Sequence, residues 1–172
     1  AKTKGGKSSL LIACEYLRLD IAKMLLQVDE IDCNVASGDG RTPLCYACEK
    51  SSLDLVSDLI DHGANTNIHT TDNKTRLYFA CLGQSVEIVS RIVSRLNDNS
   101  QINLKDSTRW KTPLFIACQS GNYDIFNILV NEMDDTDLNY QDEMGKTLLY
   151  ASCEGENLEI IKTLLTQFNV NP

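Results

Sequence analysis

The sequence predicts an all-α repeat solenoid: five stacked units, each of two short helices joined by a turn, with a β-hairpin or loop leading into the next. Three observations carry that fold class. A small residue followed by cysteine recurs as Ala13-Cys14, Ala47-Cys48, Ala80-Cys81, Ala117-Cys118 and Ser152-Cys153, at intervals of 34, 33, 37 and 35 residues. A helix start precedes each pair: Ser8-Ser9-Leu10, Thr42-Pro43-Leu44, Thr75-Arg76-Leu77, Thr112-Pro113-Leu114 and Thr147-Leu148-Leu149. A second amphipathic segment follows each one, opening at Asp20, Asp54, Glu87, Asp124 and Glu159. Neither segment is long enough to hold as an isolated helix in water, so each unit depends on its neighbours.

The stretch 112–130 shows the logic of one unit. Thr112 is placed to cap the first helix, and Pro113 fits its first position, where a missing N–H leaves nothing unsatisfied. Leu114, Ala117 and Cys118 return to one face. Gly121 can take the left-handed conformation that ends the helix, and Ile125, Phe126, Leu129 and Val130 form one apolar stripe on the second. The recurring Asp or Glu complements the dipole at the start of that helix by about 0.3–1 kcal/mol. Asn34, Asn67, Asn103, Asn139 and Asn171 then close the units as groups that hydrogen-bond hairpin backbone. The expected units are about 4–36, 37–69, 70–105, 106–141 and 142–172, in a single domain.

Taken in order, the first stretch, AKTKGGKS, fits a relaxed phosphate-loop pattern, but such a loop must follow a β-strand. The register of Gly6-Lys7-Ser8-Ser9-Leu10 with Gly40-Arg41-Thr42-Pro43-Leu44 accounts for it as a unit start. In the second unit Cys45, Cys48, His62 and His69 approach a zinc-finger spacing. Cys48 belongs to the recurring buried series, and both histidines fall beyond the second helix, so no metal or cofactor is expected. Residues 96–102 lengthen the turn between the third and fourth units, 107–111 enlarge a hairpin tip, and 131–137 form a long acidic connection. The last second helix keeps Ile160, Ile161, Leu164, Leu165 and Phe168 where a polar cap would end an array. It reads as part of a longer array, with uncapped ends available for self-association.

A net charge of −8 argues against nucleic acid or an anionic membrane as partner through bulk electrostatics, and leaves basic partners open. No apolar run reaches the roughly 20 residues of a membrane span. Five of the seven cysteines fall at one buried phase, which fits small core residues in a reducing compartment, cytoplasmic or nuclear. Two histidines, neither near a recurring cysteine, give no support to a Cys–His nucleophile, and no catalytic residue is expected.

The period and the Thr-Pro-Leu starts, together with His62-Gly63-Ala64-Asn65-Thr66-Asn67 at a unit end, resemble the ankyrin repeat family over essentially the whole chain. The histidine usual after Thr-Pro-Leu is absent; Leu11, Cys45, Tyr78, Phe115 and Tyr150 stand in its place. Packing or hairpin support is expected of Tyr16, Tyr78, Phe115 and Tyr150. The resemblance implies a noncatalytic scaffold that binds a protein partner through hairpin tips and a concave helix face. It also marks the unit-closing asparagines as possible substrates of an asparaginyl hydroxylase. On that register the partner-binding residues are Asp39, Arg41, Glu49, Lys50, Asp72, Lys74, Leu82, Arg109, Trp110, Lys111, Gln119, Met144 and Lys146. Trp and Arg dominate interface hot spots, which singles out Arg109 and Trp110. For Trp110 two readings stand: a hot spot, or a ring folded over the hairpin to shield its backbone. The alternative function is a regulatory or substrate-recruiting segment of a larger enzyme or channel.

Overall fold

The computed structural model describes residues 7–96, 102–133, 138–168 and 170. Its helices are α1 (Ser9–Glu15), α2 (Leu19–Leu26), α3 (Pro43–Glu49), α4 (Leu53–Asp61), α5 (Arg76–Gly83), α6 (Val86–Val93), α7 (Pro113–Gln119), α8 (Tyr123–Asn131), α9 (Leu148–Glu154) and α10 (Leu158–Thr166). They form five antiparallel pairs in two layers. The odd-numbered helices stack in succession, and the even-numbered helices stack behind them. Among the described residues the connections between pairs are turns and carry no β-strand. Residues 1–6, 97–101, 134–137, 169 and 171–172 lie outside the description, and with them most of the expected phosphate-loop pattern, the lengthened turn, much of the acidic connection and Asn171.

Local chemistry sets the helix starts. The hydroxyls of Ser8, Thr75, Thr112 and Thr147 accept from the N–H groups of Leu11, Tyr78, Phe115 and Tyr150, each three residues on. Thr42 instead places its hydroxyl 3.5 Å from the Cys45 sulfur. Ser85, Asn122 and Asn157 cap α6, α8 and α10 in the same manner. The recurring carboxylates Asp20, Asp54, Glu87, Asp124 and Glu159 occupy the first turn of each second helix and are exposed, as expected of dipole-complementing groups. Asn34 bridges to the next unit, accepting from the Asn65 N–H at 2.7 Å and donating to the Gly63 carbonyl at 3.4 Å.

The turn within each pair repeats one backbone conformation. Leu17, Ser51, Gln84, Gly121 and Glu156, each three residues beyond its cysteine, have φ of 51°, 56°, 58°, 65° and 53°. Only one of these left-handed positions carries the glycine that suits it. Glycine is required for a different reason just before two of them. A Cβ on Gly83 would come within 2.5 Å of the Cys48 carbonyl oxygen, and one on Gly155 within 2.3 Å of the Cys118 oxygen. The first helices therefore approach each other backbone to backbone.

All seven thiols are free, and Cys14, Cys33, Cys45, Cys48, Cys81 and Cys118 are buried. Burial pushes the Cys14 thiol up to about 12, and those of Cys48, Cys81 and Cys118 higher still. Cys153 departs from the expected series: it is exposed, because α9 packs on α7 and α10 and its far side faces solvent.

Two measurements check this account. Gly155→Ala should destabilise the fold by about 1–3 kcal/mol in urea, because backbone must move. Glu156→Gly should stabilise it by about 0.5–1 kcal/mol through relief of the left-handed conformation. In a native thiol titration with a disulfide reagent, Cys153 alone should react rapidly, and the other six only after unfolding.

Candidate functional site

The loop entering each first helix closes into a short finger. The N–H groups of Ser37, Thr70, Asp106 and Asp142 donate to the carbonyls of Arg41, Lys74, Lys111 and Lys146 at 2.9, 3.0, 2.9 and 2.9 Å. The third finger holds one residue more than the others, which realises the enlarged tip at 107–111. Buried Asp106 organises it: one carboxylate oxygen accepts the Thr108 and Arg109 N–H groups at 2.9 and 2.6 Å. Buried Asp142 holds the Met144 and Lys146 N–H groups in the same way, both at 2.9 Å. Neighbouring fingers are joined by backbone bonds from Thr71 to Asp39 (3.0 Å), Ser107 to Asp72 (2.9 Å) and Glu143 to Arg109 (3.1 Å). The fingers form one continuous strip.

Each finger turns through a left-handed residue just before its base: Gly40, Asn73, Trp110 and Gly145, with φ of 84°, 62°, 56° and 76°. Three of these are residue types that visit this region readily; Trp110 is not. Its side chain is 53% exposed, and among the described residues it makes no hydrogen bond or ring contact.

A column of cations lines the finger bases: Lys7, Arg41, Lys74, Lys111 and Lys146. Eight residues beyond each, in the last turn of the first helix, stand Glu15, Glu49, Leu82, Gln119 and Glu154. Lys7 pairs with Glu15 at 2.7 Å, Arg41 with Glu49 at 2.7 Å and Lys146 with Glu154 at 2.6 Å. Lys74 lacks an acidic partner in the helix and pairs with Asp72 at 2.5 Å in its own finger. Lys111 donates to the neutral Gln119 carbonyl at 2.8 Å, while the Gln119 amide donates to Glu154 at 2.9 Å. The hydrogen bonds of Lys7 and Lys146 to glutamates raise both ammonium groups above their ordinary value, and Lys146 lowers Glu154. Burial moves Lys111 the other way, below its ordinary value. Burial works upward on Asp72, but hydrogen bonds from Lys74 and Thr70 outweigh it and hold the carboxyl low.

The cations also lie over aromatic rings, and these rings explain the missing histidine. Lys74 Nζ lies 5.6 Å from the Tyr78 ring centroid, Lys111 5.0 Å from Phe115 and Lys146 4.7 Å from Tyr150. Arg41 lies 4.6 Å from the Phe79 centroid. Tyr78 and Phe115 are buried as expected of supporting residues, whereas Tyr150 is 51% and Tyr16 64% exposed. The expectation of packing fails for Tyr16. It holds in part for Tyr150, whose ring carries Lys146 on one side and meets solvent on the other.

The expected partner-binding residues thus fall into three settings. Asp39, Arg41 and Glu49 form one ion-paired group, with Lys50 exposed at the end of α3. Asp72 and Lys74 are paired, Lys146 is paired with Glu154, and Met144 is exposed. Arg109, Trp110 and Lys111 lie in the third finger, with Leu82 on α5 and Gln119 on α7. There Cys81, Leu82, Gln84, Ile116, Gln119 and Ser120 line a shallow groove of about 230 Å³. Sequence alone named most of these cations and helix residues as contact positions but missed that Lys7, Arg41, Lys111 and Lys146 each reach the residue eight positions on, although the cations recur in phase with the cysteines.

A family model described as "Ankyrin repeats (3 copies)" matches residues 10–106 and again 77–172. An ankyrin repeat protein of Rickettsia bellii is 37% identical over 67 residues, 36% of this chain and 40% of that protein. The BTB/POZ domain and ankyrin repeat-containing protein NBCL of Lotus japonicus is 40% identical over 63 residues, and protein BOP of Lupinus luteus 41% over 63; each match spans 36% of this chain and 13% of the relative. The chain therefore covers well under half the length of these relatives. Among the described residues no helix is long and apolar enough to cross a membrane. Ten helices in five stacked pairs among the described residues, and a family match over nearly the whole length, establish that this chain belongs to the ankyrin repeat family, whose members are in general noncatalytic protein–protein interaction modules.

Proposed function

We propose that this chain is a protein-interaction scaffold whose partner rests on the finger tips and the last turns of the first helices. Asp39, Arg41, Glu49, Lys50, Asp72, Lys74, Leu82, Arg109, Trp110, Lys111, Gln119, Met144 and Lys146 make up the contact surface. The observation that carries this reading is Trp110. A large aromatic side chain is held out to solvent at a left-handed position where the other fingers place Gly40, Asn73 and Gly145. Backbone strain of this kind, about 1–3 kcal/mol, persists where the surroundings impose it and gathers at ligand-contacting sites. Trp is also the side chain most enriched among interface hot spots.

A second reading takes the chain as the recruiting or regulatory segment of a larger enzyme, channel or other multidomain protein. The plant relatives, in which ankyrin repeats accompany a BTB/POZ domain, support it. Self-association through the array ends is a further component of the proposal, supported by exposed Tyr16, Ile21, Met24 and Val28 at one end and Leu158, Leu165 and Phe168 at the other. Sedimentation equilibrium should then give a weight-average mass that rises with concentration above 19.2 kDa.

Trp110 separates binding from shielding. Trp110→Gly should raise urea stability by about 0.5–1 kcal/mol while weakening a partner by about 2 kcal/mol, roughly thirtyfold by calorimetry. If the ring instead protects the finger backbone, the same substitution lowers stability and leaves affinity unchanged.

A further inference from the structure

The cation column is neutralised unevenly, and the unevenness points to a ligand. Lys7, Arg41 and Lys146 each meet a glutamate eight residues on, and Lys74 meets Asp72. Lys111 meets the neutral Gln119, which leaves its ammonium donors only partly used. Two residues away, Arg109 has no carboxylate within ion-pair distance among the described residues; its N–H and carbonyl are bound within the fingers, and its guanidinium is exposed. The two positions that break the glutamate series, Leu82 and Gln119, line the same shallow groove together with Ile116. Leu82 is 41% exposed there. Lys111, outside any ion pair although Asp142 and Glu154 act on it from further off, thus adjoins an open apolar floor through Gln119, with Arg109 two residues away. The protein's negative charge is carried in part by the exposed Asp20, Asp54, Glu87, Asp124 and Glu159, all on the opposite layer of helices.

We infer that this place takes a peptide segment in which an acidic side chain neighbours an apolar one, with the carboxylate at Arg109 and Lys111 and the apolar group over Leu82 and Ile116. This rests on the proposed binding face and adds the chemistry of its partner. It reverses what net charge suggests. A basic segment, which the overall −8 would attract from a distance, meets repulsion at the centre of the face. A free anion would use the two cations but not the groove; a peptide uses both.

The test is selection of a random linear dodecapeptide library, displayed on phage, against the whole 172-residue chain. Enriched sequences should place Asp or Glu beside Leu, Ile or Phe. Synthetic copies should bind roughly tenfold more weakly to Lys111→Glu and to Arg109→Glu, and should weaken with added salt. Leu82→Arg should abolish binding, and Lys105→Glu, whose ammonium sits over the Tyr140 ring 4.5 Å away, should stay within about twofold of the parent. Circular dichroism of each variant confirms folding. The inference is overturned if no acidic sequence is enriched, or if acidic peptides bind Lys111→Glu and Arg109→Glu as they bind the parent. Neutral or basic peptides that lose affinity with Trp110→Ala would remove the acidic specificity and keep the binding face. Peptides indifferent to every one of these substitutions would remove both.

Discussion

Close backbone contact between consecutive first helices is the constraint on which everything else in this protein depends. The helices are short, seven or eight residues, and have little stability of their own. The central ones become stable by burying nearly every side chain against a neighbour, as in α3, where Pro43 through Cys48 are all buried. Burial that complete requires small residues at the contact, and the Ala-Cys pairs supply them. Gly83 and Gly155 take the approach furthest, since a single Cβ at either would collide with a carbonyl of the preceding pair. Cysteine suits this role because it fills space as a small apolar residue, and burial holds its thiol protonated.

The tight stack leaves few atoms for recognition. The central first helices, α3, α5 and α7, show solvent only their last turns, and the fingers extend from their starts. Fingers of six residues or fewer have little core of their own, so polar devices hold them: buried Asp106 and Asp142 tie the tips, and one backbone bond joins each finger to the next. The finger-base cations then connect finger to helix through an aromatic ring and a residue eight positions on. The histidine usual in this family is thereby replaced at Lys74, Lys111 and Lys146 by a ring beneath a cation. The substitution couples the surface chemistry of each finger to its support.

How much of this was legible depended on whether a feature repeats. The helix starts at Thr75, Thr112 and Thr147, the carboxylates opening the second helices and the apolar stripes all recur at fixed phase, and the structure places them where periodicity did. Cys153 obeys the sequence pattern yet lies exposed, because burial there requires a neighbour on the far side of α9, and no pattern within the repeat encodes that. The left-handed residues Leu17, Ser51, Gln84 and Glu156 were invisible because the glycine that signals them stands only at Gly121. Stacking imposes that conformation whatever the local residue prefers. The pairing of Lys7 with Glu15 and of Arg41 with Glu49 was present in the letters but hidden by its spacing: eight residues apart is not a helical neighbour relation, and it brings side chains together only because the finger folds back.

The same imposed conformation limits what backbone strain says about function. Among the described residues seven non-glycine residues have positive φ, and four of them belong to the turn within a pair, where the stack explains them. Strain alone therefore cannot mark a site in this fold. Trp110 differs in what the position offers. A finger tip is not forced by helix stacking to carry a large side chain, and the shorter fingers place Gly40 and Gly145 at the corresponding left-handed position before the base. Placing the largest side chain where the smallest fits best, exposed and flanked by two cations that form no ion pair among the described residues, has no explanation in the stability of the stack. On the proposed function a contact with another molecule accounts for it, and the groove beside Leu82 is the side on which that contact is proposed.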